Sequence, residues 1–83
     1  MLGAKTFHLT ISTVSGALYD EDAASATFPG SAGELTVLPA HEPILTTLNG
    51  GTITVRKPSG EAKEFPVESG VLECSGSRAI VLL

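Results

Sequence analysis

Thr52-Ile53-Thr54-Val55-Arg56-Lys57-Pro58-Ser59-Gly60-Glu61-Ala62-Lys63-Glu64-Phe65-Pro66-Val67 reads as two alternating segments around a turn. In the first, Ile53 and Val55 face one way while Thr52, Thr54 and Arg56 face the other, the period of two that places alternate side chains on opposite sides of a strand. Pro58-Ser59-Gly60 supplies the turn. The chain then returns with Phe65 and Val67 on the inner side, so the stretch is a hairpin. Pro66 has no N–H to give to a ladder, which assigns its strand to an edge or a bulge.

The same pattern runs through the chain of 83 residues, a length that suits one domain. Nine Gly and five Pro break it at short intervals and leave little room for helices, while nine Thr, six Val and four Ile suit pleated surfaces. Thr6 to Val14 alternates with Phe7, Leu9 and Ile11 inward and His8, Thr10 and Ser12 outward. Pro29 to Gly33 reads as a loop, Glu34 to Leu38 as a strand, Pro39 to Pro43 as a second loop, and Ile44 to Leu48 as a short apolar strand. Asn49-Gly50-Gly51 reads as a tight turn whose residues tolerate positive φ. Val71 to Cys74 and Ala79 to Leu83 form a last hairpin across Ser75-Gly76-Ser77. The final strand is apolar on both faces, so it is buried twice or turns one face to a partner. Ala17 to Phe28 stays open between a short helix, by propensity, and a strand with Ala24, Ala26 and Phe28 on one face. The expectation is an all-β domain of eight or nine strands, a sandwich or barrel.

Charge and cysteine usage narrow the function. Five Lys and Arg against nine Asp and Glu give a net charge of −4. Without a basic stripe the chain is a poor nucleic-acid binder, because phosphate contacts supply most non-specific affinity. The single Cys, Cys74, excludes an internal disulfide and any multi-Cys zinc site. No run approaches the apolar length of a membrane-spanning helix.

Candidate chemistry is sparse. His41-Glu42 is the most enzyme-like dipeptide, yet neighbours on an extended chain point apart, and no spacing motif supplies a third metal ligand from His8, Cys74 or a carboxylate. Asp20-Glu21-Asp22 lacks the Gly and terminal Glu of a calcium loop and reads as a solvated acidic turn. Gly30-Ser31-Ala32-Gly33 lacks the Gly-Lys-Ser/Thr ending of a phosphate loop and reads as a plain turn. Cys74 has no basic sequence neighbour and reads as a buried small hydrophobe. Two other classes compete with a surface-acting domain: a biotinyl- or lipoyl-like carrier, for which Lys57 beside Pro58-Ser59-Gly60 is the nearest fit, and a small hydrolase or metalloenzyme centred on His41 and Glu42.

The stretch Gly33-Glu34-Leu35-Thr36-Val37-Leu38-Pro39-Ala40-His41-Glu42-Pro43-Ile44-Leu45-Thr46 resembles the signature of the rotary F-type ATP synthase ε subunit (δ in mitochondrial naming). The Gly-Glu-Leu strand start, the Pro-x-His-x-Pro loop and the apolar pair keep the family's spacing. Phe7-His8-Leu9, Gly50-Gly51-Thr52-Ile53 and Glu68-Ser69-Gly70-Val71-Leu72-Glu73 extend the resemblance over nearly the whole chain, residues 1–83. It implies the family's N-terminal domain, a flattened β-sandwich of eight to ten short, mostly antiparallel strands, and favours a strand at Ala24 to Phe28.

It also implies a role. The family's sandwich sits at the foot of the central stalk, packs on the γ subunit, rests on the c-ring and couples proton or sodium-ion transport to ATP synthesis without catalysing anything or binding a cofactor. The domain is then peripheral to the membrane through its complex, on the cytoplasmic face or its thylakoid counterpart. Residue by residue, Glu34 matches the family's c-ring-facing loop, shaped by Gly30, Ser31 and Gly33. His41, between Pro39 and Pro43, matches the position facing γ. Family members usually continue into a two-helix hairpin that is absent from these residues, so neither self-inhibition nor a nucleotide site is expected in them.

Overall fold

The structure, a computed structural model, describes residues 5–40 and 42–83. Among the described residues nine strands follow one another: β1 (Phe7–Thr13), β2 (Gly16–Ala23), β3 (Ser25–Gly30), β4 (Gly33–Val37), β5 (Ile44–Leu48), β6 (Gly51–Arg56), β7 (Ala62–Val67), β8 (Gly70–Ser75) and β9 (Arg78–Leu82). No helix occurs among the described residues. The helical alternative for Ala17 to Phe28 is thereby excluded, as is a single strand through it. The segment holds all of β2 but its first residue and then the first part of β3, and the amide of Ala24 between them donates to the carbonyl of Arg56 at 2.8 Å.

Hydrogen bonding runs in the order β2-β1-β9-β8-β5-β3-β6-β7, with β4 on the far side of β3. The link between β5 and β3 is a single pair, Gly30 with Leu48. There the sheet folds over on itself, giving one layer of β2-β1-β9-β8-β5 and a second of β4-β3-β6-β7. All pairings are antiparallel except β1 with β9. The molecule measures 40 × 25 × 18 Å, which fits a flattened sandwich.

Alternation builds the core. Phe7, Leu9 and Ile11 from β1, Ala26 and Phe28 from β3, Ile53 and Val55 from β6, Leu72 and Cys74 from β8, and Ala79 and Val81 from β9 are all buried. Each sits two residues from its partner on the same strand, so the central strands of both layers turn apolar faces inward. Pro66 lies on β7, an outer strand of the order, as its missing donor requires.

Three local readings change. Pro29, Gly30 and Gly33 belong to strands, and the β3–β4 turn is only Ser31-Ala32. Pro29 is tolerated because the pairing of β3 with β6 ends at Thr27 and that with β5 is confined to Gly30, so its absent N–H falls in the gap. Asn49-Gly50 is not a hairpin turn. It carries the chain from one layer to the other, since β5 pairs with β8 and β6 with β7, and neither Asn49, Gly50 nor Gly51 takes a positive φ. Asp20-Glu21-Asp22 is not a turn either. It lies within β2, where His8 is the register partner of Asp22.

Candidate docking surface

Three exposed large apolar side chains share the outer face of the first layer. Leu45 on β5 is 75% exposed, Leu82 on β9 58% and Val71 on β8 39%. Register sets them side by side. One row runs Thr47–Val71–Leu82–Ser12 and the next Leu45–Glu73–Ile80–Thr10. Leu45 is thus diagonal to Val71, a separation of about 7–8 Å that long side chains bridge. Monomeric proteins scatter exposed apolar residues singly, so neighbours on one face point to a covered surface.

Beyond the apolar strip the same face turns polar. Glu73, Ser75, Arg78 and Ile80 line an open depression of about 260 Å³. Next to it on β1 and β2, His8 Nε2 lies 2.6 Å from Asp20 Oδ1 and Nδ1 lies 3.4 Å from Asp22 Oδ1. Thr10 Oγ1 donates to the same Asp20 oxygen at 3.2 Å. Hydrogen bonding to Asp20 is the main cause that raises the pKa of His8. Reciprocally, the bond from His8, with that from Thr10, lowers the pKa of Asp20.

The residues singled out in the sequence fall into two places. Glu34, Ser31 and Gly33 gather at the β3–β4 turn and are exposed. Gly33 takes a φ of 126°, and a Cβ on Gly30 would stand 2.7 Å from the Gly33 carbonyl oxygen, so both positions favour glycine. Ser31 ties this turn to β5. Its amide and hydroxyl donate to the Thr47 carbonyl at 3.0 and 2.9 Å, and its hydroxyl also meets that of Thr47. Pro39 and Pro43 lie at the opposite end of β4, flanking the loop into β5. The structure does not bring the two groups together; a five-residue strand, roughly 17 Å long, separates them. His41 lies outside the described residues, and with it the expectation that His41 and Glu42 point apart. Ala40 beside it takes a φ of 63°, unusual for a residue with a Cβ.

Sequence reasoning noticed the two-faced last strand but not Leu45 or Val71. The signal was there: Ile44-Leu45 and Val71-Leu72 are adjacent apolar pairs, which on a strand must point to both faces. Lys57, the nearest fit to a carrier lysine, is not a free hairpin tip. Its side chain is only 18% exposed and its Nζ lies 3.4 Å from Glu21 Oε1. Cys74 is buried in β8, and burial together with Glu73 pushes its thiol up to about 11. Among the described residues no group of three His, Cys, Asp or Glu side chains is arranged to hold a metal ion, and no helix is long and apolar enough to cross a membrane.

Known proteins resemble this fold and sequence. Residues 6–83 match the family model described as "ATP synthase, Delta/Epsilon chain, beta-sandwich domain". An ATP synthase epsilon chain 2 from Burkholderia orbicola is 44% identical over 81% of this chain and 45% of its own length. Epsilon chains from a Nitratiruptor species and from Desulforamulus reducens are 35% and 37% identical, over 94% and 95% of this chain and 60% and 59% of theirs. The chain therefore spans about half to three-fifths of these relatives. In solved structures, a chain of the Euglena gracilis mitochondrial ATP synthase OSCP/F1/c-ring assembly superposes with a TM-score of 0.89 at 19% identity, covering 99% of this chain and 52% of that one. A chain of the Tetrahymena thermophila central stalk and c-ring gives 0.79 at 13% identity, covering 98% and 65%. By sequence match and by fold, the chain belongs to the family of ATP synthase delta/epsilon-chain β-sandwich domains.

Proposed function

We propose that this domain is a non-catalytic part of the central stalk of an F-type ATP synthase, gripped between the γ subunit and the c-ring and coupling ion transport to ATP synthesis. The observation that carries the reading is the apolar strip of Leu45, Val71 and Leu82 on one sheet face. Burying a Leu side chain contributes about 1.5–3 kcal/mol, so these residues would anchor γ while Glu73, Arg78 and the aspartates of β2 set register at the polar end. Pro39, His41 and Pro43 lead into β5 and would extend the γ contact. Glu34, Ser31 and Gly33, at the far end of β4, would meet the polar loops of the ring. Membership of the family and the placement of similar folds in stalk and c-ring assemblies support this arrangement. In such a complex the domain is a peripheral component on the side of the membrane that carries the catalytic head.

The physical role is transmission of torque. A sandwich whose two apolar faces interdigitate is packed as densely as an organic crystal and has low compressibility, so it passes on a twist rather than absorbing it. The alternative of a carrier domain requires a free lysine, and the pairing of the partly covered Lys57 with Glu21 disfavours it. Co-expression with the γ subunit from the same source, followed by size-exclusion chromatography, tests the proposal. Co-elution is expected; separate elution of the two chains at micromolar concentration would contradict it.

A further inference from the structure

His8 is the one described side chain whose two polar atoms both face carboxylates, Asp20 at 2.6 Å and Asp22 at 3.4 Å. An ionised carboxylate only accepts hydrogen bonds, and a neutral imidazole carries a single N–H. Only the imidazolium can therefore donate to both aspartates at once. The arrangement spans two strands: His8 is on β1 and both aspartates on β2.

We propose that His8 is a proton-operated clasp on the β2 edge strand: as imidazolium it bridges Asp20 and Asp22 to β1, and loss of its proton releases one of them. β2 is suited to such control. It ends the strand order, six of its eight residues are exposed, and its pairing with β1 is interrupted by a register shift at Ile11/Ser12. Besides His8, its side-chain ties are the buried Tyr19 and Ala23, the Glu21–Lys57 pair, and the hydroxyls of Thr10 and Thr13 on β1, which donate to Asp20 Oδ1 and the Gly16 carbonyl. Once the bridge is lost, Asp20 and Asp22 stand two residues apart on one face, roughly 7 Å along the strand, and repel.

The groups facing His8 are few. Asp20 and Asp22 face it from β2. Arg78 on β9 is its register partner and acts on Asp20 as a positive charge. On its own strand Thr10 shares the Asp20 oxygen. His8 is the member that switches as pH crosses the neutral range. The hydrogen-bond directions agree, with the two aspartates favouring protonated His8. Loosening stays local, because Tyr19 and Ala23 keep the inner face of β2 in the core.

A nuclear magnetic resonance titration of the isotopically labelled chain tests the clasp, with the His8 ring signals assigned through their loss in His8→Gln. The His8 midpoint is expected above that of an ordinary imidazole. The amides of Tyr19 to Asp22 are expected to shift with the same midpoint and, above it, to lose exchange protection relative to β9 amides. Asp20→Asn is expected to lower the midpoint, and Asp22→Asn to lower it less; unchanged Leu72 and Val81 methyl signals confirm that each variant is folded. An unaltered His8 midpoint in Asp20→Asn, or β2 amides that ignore the titration, would overturn the proposal.

Discussion

The Nζ of Lys57, at the β6–β7 turn of one layer, lies 3.4 Å from Glu21 Oε1 on the edge strand of the other. The same ammonium stands 5.9 Å from the centre of the Tyr19 ring, and Tyr19 meets Phe65 of β7 edge-on at 5.9 Å. Together these contacts close one side of the sandwich, where no strand pairing joins β2 to the second layer.

Lys57 therefore contributes mostly through its packed stem and the ring beneath it. Lys57→Met retains the stem and loses the charge, and is expected to cost below about 1 kcal/mol. Lys57→Ala removes both and is expected to cost more. Urea denaturation of the two variants checks the order.

Gly70 opens β8 where Leu82 and Leu83 pass close by. A Cβ there would sit 2.7 Å from the Leu82 carbonyl oxygen and 2.8 Å from Leu83 Cδ2. The carbonyl belongs to the backbone and cannot swing away. Gly70→Ala is expected to destabilise by about 1–3 kcal/mol, read as a lower urea midpoint with an unchanged slope.

Ala40 holds a left-handed φ of 63° next to Pro39. That conformation costs an L-residue with a Cβ roughly 1 kcal/mol and costs glycine little. Ala40→Gly is expected to raise stability by up to about 1 kcal/mol, measured by thermal denaturation. A fall in Tm would show that the loss of backbone freedom outweighs the relieved strain.

Most of the architecture was legible because alternation and breakers are local signals. Ile53 and Val55, or Phe7, Leu9 and Ile11, declare an inner face by themselves, and Pro58-Ser59-Gly60 declares its turn. What stayed hidden depends on partners distant in sequence. Ala17 to Phe28 is Ala-rich and acidic, and it becomes two strands only because β1 offers a ladder to one part and β6 to the other. Asn49-Gly50 resembles a hairpin turn until β5 is seen to pair with β8. The docking face was half legible: the doubly apolar last strand was visible, whereas Leu45 and Val71 joined it only through the β5-β8-β9 register.

The His8–Asp20 pair sets a pH window for stability. His8 has a raised pKa in the fold, so its contribution is full below its ordinary value of 6.5 and disappears as pH rises through the folded value. Asp20 has a lowered pKa, so its contribution is present above its ordinary value of 3.8 and disappears as pH falls through the folded value. Both act together between those two ordinary values. Denaturant midpoints across pH are expected to show that plateau, and His8→Gln to remove the decline on its alkaline side.

Cys74 is buried and its thiol is pushed up to about 11, so almost none of it is the reactive thiolate at neutral pH. Labelling by a thiol-specific disulfide reagent is expected to be slow in the folded chain and fast in denaturant. Rapid labelling of the folded chain would show that the β8–β9 core opens readily.

The proposed grip through the outer face of β5, β8 and β9 makes a direct demand on affinity. Isothermal titration calorimetry against the matching γ subunit should compare the chain with Leu45→Asp/Leu82→Asp and with Val14→Asp, a fully exposed apolar position on the β1–β2 turn. The account predicts that the double variant loses about thirtyfold or more in Kd, as expected when two anchors together worth at least about 2 kcal/mol are removed, while Val14→Asp binds as the unaltered chain does. Equal Kd values for all three, with folding intact, would contradict it.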